Sequence, residues 1–121
     1  MDFSFSEEQT LLRNTIQSFI QDNYDFDKRQ AIVKSEEGMK QENWKQFAEL
    51  GLLGLPFSEE DGGLNFGSVE TMIVAEEFGK GLVVEPYIQT VVTCGGFLRR
   101  ASASIKAVSY THLTLPTKRI V

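Results

Sequence analysis

The segment Leu50-Gly51-Leu52-Leu53-Gly54-Leu55-Pro56, with Glu59-Glu60-Asp61-Gly62-Gly63-Leu64 close behind it, limits the folds open to this chain more than any other stretch. A glycine after a helical run adopts the left-handed conformation without Cβ strain, so Gly51 is placed to close a helix. Pro56 has no N–H and prevents an easy restart, and Glu60-Asp61-Gly62-Gly63 supplies turn chemistry before Phe66-Gly67-Ser68. The middle of the chain therefore reads as a turn between helices.

Helical signals lie on both sides of it. Ser6 followed by Gln9 has the spacing of a capping box, and Glu7 and Glu8 suit the positive end of the helix dipole. Leu12, Ile16, Phe19 and Ile20 then recur at helical spacing against Arg13, Asn14, Gln17 and Gln21, which predicts a helix from Ser6 to near Asn23 with one buried face. Lys28 to Lys34 is left open between a short helix and a loop. Lys40 to Leu50 carries Trp44, Phe47 and Ala48 on one stripe. A further helix is expected from a Ser68 cap to Gly79-Lys80-Gly81, turning Val69, Met72, Ile73 and Phe78 inward. Pro86 suits the first turn of a fourth principal helix, with Ile88, Val91, Val92, Phe97 and Leu98 on its inner side. Gly95-Gly96 within it marks either a close helix contact or the helix end, since each glycine costs roughly 1 kcal/mol relative to Ala in an exposed helix. The fold class expected is all-α, about four packed helices, with no convincing strand.

At 121 residues, with 41% hydrophobic content and nine Phe, the chain has the material for one domain with a modest core. Twelve basic against 17 acidic residues give a formal charge of −5, which argues against nucleic acid as a partner. A single cysteine, Cys94, forms no internal disulfide, and no basic start leads into an apolar run and a cleavage site, so a reducing, cytoplasmic setting is expected. The longest apolar runs fall far short of the roughly 20 residues needed to span a bilayer.

From Val108 the composition changes to Val-Ser-Tyr-Thr-His-Leu-Thr-Leu-Pro-Thr-Lys-Arg-Ile-Val, unrelated to the helical pattern before it. Ser109 to Val121 resembles conceptually translated sequencing-adapter DNA. The expected division is a helical domain over 1–107 and a non-native tail over 108–121, against the alternative of a genuine strand entering a following domain. His112, the only histidine, lies in that tail and is not promoted to a catalyst or metal ligand.

Leu50 to Pro56, the Glu-Glu-Asp-Gly-Gly-Leu turn, Val69 to Gly79 ending in Ala75-Glu76-Glu77-Phe78-Gly79, and Phe3-Ser4-Phe5-Ser6-Glu7-Glu8-Gln9 together resemble the amino-terminal domain of the acyl-CoA dehydrogenases, in one register from Met1 to about Lys106. The resemblance implies a parent enzyme that removes an α-proton from an acyl-CoA thioester through a glutamate while a hydride passes from the β-carbon to FAD. It places that glutamate and most of the flavin site in later domains, so the chain is expected to be an inactive, truncated piece that binds no FAD. It also implies an acyl-CoA substrate, electron-transfer flavoprotein or a similar acceptor, and a homo- or hetero-oligomeric parent. The family's helix after the Glu-Glu-Phe-Gly segment faces the acyl chain. Laid onto this chain it runs from Pro86 through Gly95, with Tyr87, Thr90, Val91 and Cys94 as pocket-facing candidates. Their spacing allows one shared face, and ordinary core or surface positions are the alternative. Val83-Val84-Glu85-Pro86-Tyr87 looks more like bacterial members acting on dicarboxylic, aromatic or steroid-side-chain esters.

Other candidate chemistry is weaker. The acidic pairs Glu7-Glu8, Glu36-Glu37, Glu59-Glu60 and Glu76-Glu77 invite a general-base reading, yet adjacent helical residues diverge and each pair reads as a first-turn charge, a loop or a solvated face. Gly62-Gly63 with Gly67 lacks the preceding strand, the spacing and the lysine of a phosphate-binding loop. No His and Cys cluster has metal-ligand spacing. Nothing near Cys94 in sequence lowers its pKa. Two rival readings remain, a stand-alone helical interaction module and the non-catalytic subunit of a two-subunit dehydrogenase.

Overall fold

Ser6 starts the first helix by the route its sequence dictates: its hydroxyl accepts from Gln9 N at 3.2 Å while the Gln9 side chain accepts from Ser6 N at 2.9 Å. The structure, a computed structural model, describes residues 2–101 and 104–105. Its helices are α1 (Glu7–Asn23), α2 (Phe26–Lys34), α3 (Gln41–Glu49), α4 (Ser68–Gly81) and α5 (Gly95–Leu98), with a π-helix over Ile88–Cys94 leading into α5. No strand occurs among the described residues, so the all-α expectation holds. The proposed tail over 108–121 lies outside them.

The described residues form two compact units, residues 2–40 with 68–85, and residues 41–67 with those from 86. In the first, Asp25 accepts from Lys28 N at 2.8 Å and caps α2, so the segment left open in the sequence is helical. Ile16, Phe19, Tyr24, Ile32, Ile73, Val74 and Phe78 are buried. Val69 and Met72, expected inward, are exposed. Helix α4 is apolar on more than one side, so periodicity alone marks two possible inner stripes. Packing of α1 on α4 selects the one carrying Ile73 and Glu77, which brings Glu77 to Arg13.

In the second unit Gly51 has φ +81° and its N–H donates to Ala48 O at 3.0 Å, closing α3 as expected. The chain then makes 3-10 turns over Leu52–Gly54 and Glu59–Asp61 and folds back on itself. Leu64 N donates to Gly54 O at 3.0 Å, Asn65 N to Phe57 O at 2.8 Å and Phe66 N to Leu55 O at 2.9 Å. A side chain at Gly63 would overlap the Phe57 and Gly54 carbonyl oxygens, so only glycine lets these strands of chain approach. Phe47, Leu52, Leu53, Leu55, Phe57, Tyr87 and Val91 fill the core.

Candidate substrate-facing segment

Pro86 stands ahead of Tyr87, and its carbonyl accepts from Thr90 N at 3.1 Å. From Ile88 to Cys94 the helix is a π-helix. Its i→i+5 bonds widen each turn beyond the ~3.6 residues of an α-helix, so each residue advances by less than about 100°. The consequence is visible in burial. Tyr87 and Val91, four apart, are 1% and 2% exposed, whereas Thr90 is half-buried and Cys94 is exposed. The four candidates therefore divide, with Tyr87 and Val91 turned into the core, Cys94 on the surface and Thr90 between them. Ile88 and Phe97, expected on the inner side, are likewise exposed, with Val92 and Leu98 half-buried.

Tyr87 is anchored at both ends of its ring. Its hydroxyl donates to Leu52 O at 2.7 Å, and its ring meets Phe47 edge-on at 6.4 Å between centroids. Burial holds the phenol protonated well above its ordinary range. Gly95 then fits beneath the Phe57 ring, where an added Cβ would lie 2.9 Å from Cζ, while Gly96 faces open space. Of the two explanations for Gly95-Gly96, close contact applies at Gly95.

The exposed residues of the segment are Ile88, Gln89, Thr93 and Cys94, with Thr90 and Val92 half-buried. Gln89 and Thr93 are i, i+4 neighbours and Thr90 and Thr93 i, i+3 neighbours, so helical spacing alone already groups them, and the Gly95-Gly96 pair is the sequence's hint of irregularity.

The acidic pairs fall as charges without a shared focus. Glu36, Glu37, Glu59 and Glu60 are exposed, and Glu7 and Glu8 lie in the first turn of α1. Glu77 is the exception, buried against α1. One carboxylate oxygen accepts from Gln17 Nε2 at 3.2 Å and lies 3.5 Å from Arg13 Nε and 3.4 Å from Lys80 Nζ. Glu76 adds pairs to Arg13 at 3.1 Å and Lys80 at 3.3 Å. The hydrogen bond to Glu76, followed by the charge of Glu77, holds the Lys80 ammonium protonated above its ordinary range. This is a clamp between α1 and α4. Glu85 is also buried: one oxygen accepts from the Tyr24 hydroxyl and the other from Lys40 N at 3.0 Å.

The Gly62-Gly63 turn does not suit a phosphate. Its concave side is taken by the chain's own carbonyl oxygens, which repel an anion. Among the described residues no group of three or more His, Cys, Asp or Glu could hold a metal ion, and no helix is long and apolar enough to cross a membrane.

Against known proteins, the acyl-CoA dehydrogenase N-terminal domain family matches residues 6–113, and the chain belongs to that family. The match continues past residue 107 into the first part of the proposed tail. Acryloyl-CoA reductase (NADH) from Anaerotignum propionicum is 31% identical over 91 residues, 75% of this chain and 23% of the relative. Mitochondrial isovaleryl-CoA dehydrogenase from Pongo abelii is 38% identical over 76 residues, 62% of this chain and 18% of the relative. Among solved structures, the ChsE4-ChsE5 complex from Mycobacterium tuberculosis superposes with TM-score 0.76 at 26% identity, covering 90% of this chain and 32% of that one. The chain thus spans about a fifth of the length of these curated relatives.

Proposed function

We propose that this chain is the amino-terminal helical part of an FAD-dependent acyl-CoA dehydrogenase and forms one wall of its acyl chamber with the segment from Tyr87 to Gly95. The family match over 6–113 carries the reading, supported by the structural likeness over 90% of the chain. On it, Tyr87 and Val91 hold the wall in place from behind, and Cys94 and the half-buried Thr90 lie on the side open to an acyl group. When bound in the parent, FAD would supply the hydride-accepting chemistry. On this reading the glutamate base and most of the flavin site belong to other domains of the parent. The likeness to a complex of two named chains favours a second reading, the non-catalytic subunit of a two-subunit dehydrogenase. We also keep the division into a domain over 1–107 and a foreign tail over 108–121. Deleting 108–121 is expected to change stability by less than about 0.5 kcal/mol in urea titrations.

The test is a domain exchange. Residues 1–107 replace the matching region of the Pongo abelii isovaleryl-CoA dehydrogenase, and the purified chimera is assayed for flavin absorbance and its bleaching by acyl-CoA. Bound flavin bleached by a CoA ester supports the reading. A correctly assembled, flavin-loaded chimera that no acyl-CoA bleaches contradicts it. The 121-residue chain alone, mixed with FAD, is expected to stay colourless after desalting, and a stoichiometric yellow protein would overturn the placement of the flavin site elsewhere.

A further inference from the structure

We infer that the outer face of α2 is a self-association surface, on which a second copy of this chain lays its own α2 antiparallel across a two-fold axis near Gln30; the inference is independent of the wall assignment above. Helix α2 buries Ile32, while Phe26 and Val33, two turns apart on one stripe, are 75% and 44% exposed. Asp27 and Lys34 run beside that stripe, one residue on, and both are exposed. Neither forms an ion pair or hydrogen bond among the described residues, whereas Lys28 pairs with Asp25 at 3.7 Å at the start of the same helix.

The spacing makes this face complementary to itself. A helix of nine residues is about 14 Å long, and two copies laid antiparallel about Gln30 set Phe26 of each opposite Val33 of the other and Asp27 of each opposite Lys34 of the other. Every apolar pair and every ion pair then occurs twice, as an isologous interface requires. Antiparallel packing also opposes the two helix dipoles, so the acidic first turn of each copy meets the basic last turn of the other. Gln30, half-buried at the axis, faces its own copy, and a primary amide both donates and accepts in such a pair. Arg29, the nearest unmatched cation, is engaged off this face, its Nε donating to Leu82 O at 2.8 Å. The charges of Asp27 and Lys34 also suit the dipole of their own helix, but that role leaves Phe26 in water, whereas association covers it. A contact between helices this short falls below the roughly 1,200 Å² of stable interfaces, so the dimer is weak and concentration-dependent.

Sedimentation velocity on the full 121-residue chain tests this, since between about 10 µM and about 1 mM a weak two-fold contact is expected to convert monomer to dimer. Phe26→Ser is expected to weaken association by at least on the order of tenfold. Asp27→Lys and Lys34→Asp are each expected to weaken it several-fold, because each turns two attractive pairs into repulsive ones. The double reversal restores opposite charges across the axis while setting both against the dipole of their own helix. It is expected to recover association and yet to lower the urea midpoint, a combination that a purely intrahelical role for the two charges does not give. A chain that stays monomeric throughout, a dimer indifferent to Phe26→Ser, or a double reversal no better than either single change would overturn the inference. Assembly beyond the dimer would also overturn it, since it requires an open contact rather than a closed two-fold one. Should Phe26→Ser not fold, Val33→Ser removes the opposite member of the same apolar pair and is read in the same way.

Discussion

The two units hold themselves together by opposite means. In residues 2–40 with 68–85, regular helices α1 and α4 meet across a polar clamp in which a buried carboxylate, Glu77, is shared by Arg13, Gln17 and Lys80. In residues 41–67 with the described residues from 86, short 3-10 turns and a π-helix surround an aromatic core of Phe47, Phe57 and Tyr87, and among the described residues there the polar side-chain atoms of Asn43 are buried without a hydrogen bond. The contrast teaches that regular helices tolerate a buried charge when its partners sit at i, i+3 and i+4 spacings, while irregular backbone needs large rings and close glycine contacts to fill its gaps.

The comparison breaks most sharply at Tyr87. Replacing it with Ala empties a site beside Phe47 and abandons the bond to Leu52 O, so a loss of about 3–5 kcal/mol is expected in denaturant unfolding. A loss under about 1 kcal/mol would mean that the ring is not a core element. Glu77→Ala is expected to cost less, about 1–3 kcal/mol, because Arg13 and Lys80 retain solvent contact and can turn to water when the carboxylate is gone. Asn43→Leu runs the other way. Both polar atoms of Asn43 are buried without partners, and an apolar side chain of similar size is expected to raise stability by about 1–2 kcal/mol, read from the midpoint of a urea titration.

The smallest effect is also the most specific. The Tyr87 phenol is held above its ordinary value of 10.0 in the fold, so it favours the folded state fully below that pH, and the contribution is lost as pH rises above it. Tyr87→Phe forfeits about 1 kcal/mol near neutral pH and is expected to flatten the decline in stability above about pH 10. An unchanged alkaline decline in the variant would assign it to other groups.

Much of the first unit was legible in sequence. The Ser6–Gln9 capping box fixed the start of α1 to the residue, and Ile16 and Phe19 marked its inner face. In the second unit Gly51 closes α3 where expected. The inner face of α4 was half legible, since Ile73 and Phe78 were foreseen but Val69 and Met72 were taken inward as well. What decides that face is the ion pairing of Glu77 with a helix some sixty residues away, which local periodicity does not carry. The candidate site was least legible. Tyr87, Thr90, Val91 and Cys94 share a face at α-helical pitch, and the wider π pitch over Ile88–Cys94 is not written in local spacing. The burial of Glu85 stayed hidden because its partners, Tyr24 and Lys40, are distant in sequence.

The division of that face is the centre of the account, and thiol reactivity tests it directly. Cys94 is the chain's only cysteine and is exposed, so in the native 121-residue chain it is expected to react with Ellman's reagent at close to the rate found in denaturant. A thiol moved to the inner side, in the Val91→Cys variant on a Cys94→Ser background, is expected to react at least on the order of a hundredfold more slowly until the fold is opened. Equal rates at the two positions, or a protected Cys94, would place both residues on one face and contradict the account.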